Sequence, residues 1–549
     1  MKKLLKYFLY LILTLGAIFA LVYFGSSPLL KKLVSQKLEN ERIAGVYQVS
    51  FENAYFNLFR MGVSLTGVEL KPDSSAEIQK LFPYQKQLVY LKIARLNIFD
   101  IDPIKYLQEE KIDVHSISIK DPLLHIYINK SYKKPKASLK EDSPFEIDLE
   151  ELHLQEIIVS NMEFHFYNKF RKKADISVKE IDLKITKPKI DFNKIDDIWT
   201  AMDAKNIELE LRKIRFYDAK SFYKTTLKSA KYHFKKNTIT LKDLDYKPVY
   251  KKAKFAKKSK YQTDRMDISL AKIEIEGFDF LRFIEKKVIG ISKVKLHGLK
   301  MEVYRDKNYP VNLSRFPKLP QQALRNLKQK LEIKEIKLKS STVVYIEKAE
   351  GEEKAGKVEF KEVKASIKDF GNTWLYKEKK TMEVDAELNV YGKAKVKIEL
   401  DFPLKYNTFY LKGEVGKAKM NIFNPISISN AGVKIRDGKI DKITFSANLN
   451  DTRSSGKMKF LYHDLDISIL QKVEGSGLRK ESKLLNFMAN SFIIPEQNPN
   501  KRGKEYKATI EFTRNKNKGL LAYIWKSIFS GMKDTIQKKN KKRDKKKKK

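Results

Sequence analysis

Cysteine is absent from this chain, which excludes disulfide frameworks, thiol catalysis and thiolate metal sites while leaving the compartment open. Acidic residues are scarce beside basic ones: 68 Asp and Glu face 112 Lys and Arg, a formal net charge of +44. That excess suits an anionic surface, although lysine on solvent faces is ordinary. Catalytic signatures are missing too, with no G-x-S-x-G, no P-loop and no H-E-x-x-H. His115, His125, His153 and His165 each fall in an alternating segment, where solvent-facing or hydrogen-bonded histidine is expected rather than a metal set. His463 and Asp464 are consecutive strand residues facing opposite sides, so they make no dyad. The expectation is no enzyme, no metal and no cofactor. With 42% hydrophobic residues, general disorder is excluded as well.

Long apolar runs are confined to the N-terminus. Tyr7 to Leu30 carries no charge, and its two dozen residues at ~1.5 Å each exceed a ~30 Å hydrocarbon core. An uncleaved signal anchor is expected, with a cleaved secretory signal as the alternative; no A-x-A type site is clear after Phe24. Lys2, Lys3 and Lys6 favour a cytoplasmic N-terminus. The rest would then lie outside the cytoplasm. Nucleic acid is not an expected partner, because the anchor conflicts with it and no compact recognition module is present.

What fills the remainder is alternation. Val89, Leu91 and Ile93 alternate, then Leu96 and Ile98 resume one step out of phase; Ile112 and Val114 slip likewise against Ile117 and Ile119. A β-bulge restores an apolar set to one face in this way. Between these strands, Asp102 as N-cap and Pro103 at the first helical position predict a short helix or turn. The pattern recurs without a gap at an offset of 177: Leu96 meets Ile273, Asp102 meets Asp279, Ile119 meets Leu296 and Tyr127 meets Tyr304. With small shifts, Glu156 onward matches Glu335 onward, and Val178 onward matches Phe360 onward. Shared phase slips indicate a structural repeat. From Thr381 the strands read as an antiparallel meander. The domain reading is therefore an anchor (1–30), two β-repeat regions (31–247 and 248–380), a meander (381–514), an amphipathic helix (515–537) and a basic disordered tail (538–549).

The anchor, the segments "VSFENAYFNLFRMGVSLTGVELKPD" and "LNIFDIDPIKYLQEEKIDVHSISIKDPLLHIYI", and the C-terminal pattern of Gly456, Met458, Phe460, Tyr462, His463, Asp464 and Leu465 together resemble the AsmA-like proteins of bacterial envelopes. The resemblance implies a mainly β fold: an elongated, twisted antiparallel sheet forming an apolar trough, between an N-terminal transmembrane helix and a C-terminal amphipathic helix. It further implies passive transfer of phospholipid acyl chains between membranes, with no catalytic residues to carry over. The lining would include Ile98, Val114, Ile117, Ile119 and Ile126, and their counterparts Ile275, Ile291, Val294, Leu296 and Val303. A dry sandwich core is the alternative for each of these, and a non-transporting scaffold for envelope assembly proteins is the alternative function. Residues Tyr462 to Leu465 are expected to be structural, fixing a strand end.

At the C-terminus, Leu521, Ile524, Trp525, Ile528 and Met532 recur at helical spacing. Two roles are open for that helix, capping the sheet or lying on a membrane surface. Lys541, Lys542 and Arg543 belong to the following basic run, which is expected to be extended, solvated and attracted to anionic lipid.

Overall fold

The structure is a computed structural model that describes residues 46–57, 59–73, 85–101, 112–129, 132, 152–168, 174–190, 202–217, 222–373, 380–472, 479–481 and 494–547. The expected anchor at Tyr7 to Leu30 and the helix opened by Asp102 lie outside the described residues. No helix among the described residues is long and apolar enough to cross a membrane. The chain is mainly β and divides into two compact units, Met1–Leu244 and Asp245–Lys549.

In the first unit the strands are β1 (Tyr47–Ser50), β2 (Asn53–Asn57), β3 (Gly62–Pro72), β4 (Gln87–Ile101), β5 (Ile112–Ile128), β6 (Leu152–Tyr167), β7 (Ile176–Ile190), β8 (Met202–Tyr217) and β9 (Tyr223–His233); the unit boundary falls inside β10 (Thr238–Pro248). The second unit continues with α1 (Lys252–Ser259), β11 (Arg265–Glu276), α2 (Phe280–Lys286), β12 (Val288–Asp306), α3 (Pro320–Arg325), β13 (Lys330–Lys348), β14 (Gly356–Gly371), β15 (Thr381–Val390), β16 (Ala394–Pro403), β17 (Phe409–Val415) and β18 (Ala418–Lys419). It closes with α4 (Asn424–Ala431), β19 (Val433–Leu449), β20 (Arg453–Lys472), β21 (Arg479–Glu481), β22 (Lys507–Thr513) and α5 (Leu520–Lys547).

The expected all-antiparallel arrangement needs correction: β5 pairs with β6, and β12 with β13, in parallel. The two parallel pairs occupy equivalent places in the repeat. A parallel neighbour requires the chain to return to the starting end, which takes a dozen or more residues. The segments that begin at Tyr132 and Tyr309 provide that length. Around each parallel pair the registers coincide. Leu96 faces Ile119 as Ile273 faces Leu296, and Ile98 faces Ile117 as Ile275 faces Val294. Register shifts fall between Val159, Met162 and Phe164 in β6 and between Leu338, Ser341 and Val343 in β13.

The slips between Ile93 and Leu96 and between Val114 and Ile117 lie across from left-handed residues of the paired strand, Asp121 and Asp100. Asp100, Asp121 and Asn161 take φ of 57°, 49° and 55°, and their counterparts Gly277, Gly298 and Ser340 take 66°, 68° and 49°. A left-handed residue inside a strand rotates the following side chains back onto the same face. Side-chain bonds support three of these: Asn161 donates to Asp121 at 2.7 Å, and Arg60 grips Asp100 at 3.1 and 2.7 Å. Between β4 and β5, both strands distort at the same place. Partners continue from Ile93 with Pro122 to Arg95 with Lys120, so the expected two-against-one bulge is absent from this pair. At the place equivalent to Asp102 in the second repeat, α2 opens at the N-cap Asp279, whose carboxylate accepts a hydrogen bond from the Arg282 N–H at 3.0 Å.

Candidate functional site

Cross-strand partners share a face, so the registers define apolar ladders. In the first unit, one ladder runs Leu96, Ile119, Val159, Leu183, Leu209. Leu96 is 1% exposed, whereas Ile119, Val159, Leu183 and Leu209 are half-buried. In the second unit a longer ladder runs Ile275, Val294, Ile336, Ile367, Val384, Leu400, Leu411, Ala447, Gly456, Ile510. Its early members Ile275, Ile336 and Ile367 are half-buried, while Leu411 and Ile510 are fully buried.

The expected lining residues divide accordingly. Ile98, Val114, Ile117 and Ile126 are buried to 2% exposure and Val294 to 8%, as core residues are. Ile119, Ile275, Ile291, Leu296 and Val303 are half-buried on the same faces. Deep burial therefore belongs to the β3 to β5 end of the first unit. Half-buried apolar rows begin with Ile119 and continue over β6 to β8, and in the second unit over β11 to β14.

At one strand end the second unit's apolar face turns ionic. Val303 pairs with Tyr345 and, two residues on, Arg305 with Glu347. Arg305 forms a bidentate pair with Asp264 at 2.7 and 2.6 Å, the Tyr345 hydroxyl donates to Glu347 at 2.6 Å, and Lys307 lies 2.6 Å from the same carboxylate. Burial first, then the Glu347 charge, pushes the Tyr345 phenol well above its ordinary pKa. The charges are mutually satisfied, so the cluster reads as a polar rim to the apolar row.

In the first unit, histidines sit on the face opposite the apolar row. His125 and His165 sit side by side, with ring centroids 4.9 Å apart, next to the stacked pair Tyr127 and Tyr167 at 4.4 Å. His165 bonds Glu163, which Lys179 also pairs with. Burial raises the Glu163 carboxyl, but Lys179 and His165 together outweigh it and hold it below its ordinary value. Burial, then His165, lowers the pKa of His125. A shallow hollow nearby, lined by Asp121, Asn161, Glu163, Lys179, Glu180 and Lys213, has its charges paired within itself through Lys179–Glu163 and Lys213–Glu180.

The C-terminal pattern has a packing explanation. Met458, Phe460 and Tyr462 are 3%, 2% and 1% exposed in the core, and a Cβ on Gly456 would meet the Ser446 carbonyl at 2.1 Å. Tyr462 donates its hydroxyl to the Pro495 carbonyl at 3.0 Å, and its backbone bridges to Asn498. His463 lies 3.0 Å from Asp441 and Asp464 takes φ of 56°. This tetrad occupies the middle of β20, where the register against β19 shifts, and not a strand end.

The helix α5 covers this core. Tyr523, Ile524, Ser527 and Thr535 are buried, with Ile528 and Met532 packed alongside. Of the expected membrane-facing set, Ile524, Ile528 and Met532 thus turn inward, because they match the apolar end of the ladder. Leu521 and Trp525 stay exposed, joined by Phe529, which sequence spacing did not single out. Lys541, Lys542 and Arg543 continue α5, which runs to Lys547, so the expected extended tail is corrected to helix. Lysine is a good helix former, and cations at a helix C-terminus complement its dipole. No protein-family model matches the chain, and no curated protein matches it.

Proposed function

We propose that the half-buried apolar rows hold lipid acyl chains, and that the protein is an AsmA-like, membrane-anchored carrier supporting lipid transfer or outer-membrane homeostasis in a bacterial envelope. The observation that carries this reading is the ladder of the second unit: one apolar row passes from a fully covered core onto strands where its side chains are only half-buried. Each methylene moved from water onto such a row gains about 0.8 kcal/mol, so an acyl chain is a fitting occupant. On this reading the sheets form an elongated trough, Tyr7 to Leu30 spans the inner membrane once, the described units lie in the periplasm, and envelope proteins are further partners. The apolar row supplies binding surface and not chemistry, so the protein acts as a carrier and not an enzyme.

The test is lipid extraction from the purified full chain, coupled to photocrosslinking with an acyl-chain probe. Lipid is expected in the wild type, and both Ile119→Asp and Leu296→Asp should reduce crosslinking while the fold survives, since a half-buried carboxylate can hydrate. Absence of copurifying lipid, with unfolding by either substitution, would overturn the reading and favour an envelope scaffold.

A further inference from the structure

The helix α5 has two apolar faces. The inner one is spent on the core, where Tyr523 and Ile524 are 2% and 8% exposed and Ser527 bonds Ser454 at 2.8 Å. The outer one presents Leu521, Trp525 and Phe529 at 80%, 53% and 45% exposure. These three recur every fourth residue, which stacks them along one side of a helix over about 12 Å. Trp525 and Phe529 stack with centroids 6.2 Å apart, and the Lys526 ammonium sits 5.8 Å from the Phe529 ring. Solvent gives no reason for such a stripe.

We propose that this outer stripe docks the protein onto an anionic phospholipid surface while the inner face stays packed. Charge decides the class of occupant. Between Leu520 and Lys547 the sequence has ten Lys and Arg against two Asp, and Lys526 and Lys533 are exposed along the stripe. Protein interfaces are depleted in lysine at their centre. A tryptophan, a phenylalanine and a leucine flanked by lysines instead match the headgroup boundary, where rings embed and ammonium groups meet phosphate. Because α5 runs on to Lys547, the basic residues extend from the same rod that carries the stripe. This contact is independent of what the β-faces hold.

The experiment uses the full chain in phosphatidylcholine nanodiscs, floated with phosphatidylcholine vesicles that contain or lack phosphatidylglycerol. Binding is expected only with phosphatidylglycerol, weakening as salt rises. The triple variant Leu521→Ser, Trp525→Ser, Phe529→Ser should bind at least about tenfold more weakly with an unchanged melting temperature. Should the triple variant misfold, replacing Trp199 and Trp374 by Phe leaves Trp525 as the reporter. A blue shift of its emission with anionic vesicles alone supports the proposal, and an unchanged spectrum overturns it. Equal flotation of variant and wild type overturns it too. So does a wild-type dimer that the variant dissolves without any change in vesicle binding, which would assign the stripe to a second copy.

Discussion

The two ends of the ladder in the second unit differ in cover and not in pattern. At β17, β19, β20 and β22 the row of Leu411, Ala447 and Ile510 lies beneath Tyr523 and Ile524 of α5, with Leu319 and Leu324 from the α3 region in the same core. At β11 to β13 the same row continues through Ile275 and Ile336, half-buried, with Val294 at 8% exposure between them. Alternation therefore specifies which face is apolar but not whether protein covers it. The cover arrives from distant sequence: Arg514 reaches Asp451 at 2.6 Å and the Pro317 carbonyl at 2.8 Å, fastening the approach to α5.

The contrast breaks most visibly under charge. Leu411→Asp puts a carboxylate at a position with 0% exposure and should cost several kcal/mol or prevent folding. Ile336→Asp, on the same ladder, should cost less than half as much in a denaturant titration; equal losses would mean the early rows are also a closed core. Truncation comes next: Phe460→Ala should cost about 3–5 kcal/mol, and Phe164→Ala in β6 clearly less, as unfolding midpoints would reveal.

A polar anchor of the covered end supplies a third test. Asn498, 0% exposed, donates to the Tyr506 carbonyl at 3.2 Å and accepts from the Tyr506 N–H at 2.7 Å. Asn498→Ala strands those backbone groups and should cost about 1–3 kcal/mol, read as faster proteolysis around Tyr462. The smallest effect concerns acid and the first unit. His125 faces His165, Glu163, Lys179, Tyr127 and Tyr167, and its folded pKa lies below the ordinary 6.5. Its contribution is present above 6.5 and is lost as pH falls through the folded pKa. Mild acid should therefore loosen β5 and β6, seen as faster amide exchange. His125→Gln should flatten that dependence, and an unaltered profile would remove His125 as its source.

Much of this architecture is legible in the residues. The 177-residue offset places Ile119 and Leu296 opposite equivalent partners, because strand side chains have a strict period of two and any other register would expose the row. The slips between Ile93 and Leu96 and between Val114 and Ile117 are visible for the same reason. The parallel pairs were not, since pairing direction depends on where a long connection returns and periodicity carries no direction. Of the two roles open for α5, Ile524, Ile528 and Met532 take the capping one and Phe529 joins the outer stripe, because helical spacing yields a stripe without saying which neighbour it meets.

The amino-acid sequence by itself determined the strands, their repeat, the apolar face of each and the helical character of the Leu521 to Met532 stretch, all consequences of local period and backbone preference. Only the tertiary structure decided that α5 spends Tyr523 and Ile524 on the core and leaves Leu521, Trp525 and Phe529 outside. It also decided that α5 covers the ladder from Leu411 to Ile510 while Ile275 and Ile336 stay half-buried. Burial is a property of what packs against a residue, and for these rows that partner lies far along the chain, beyond the reach of any local pattern.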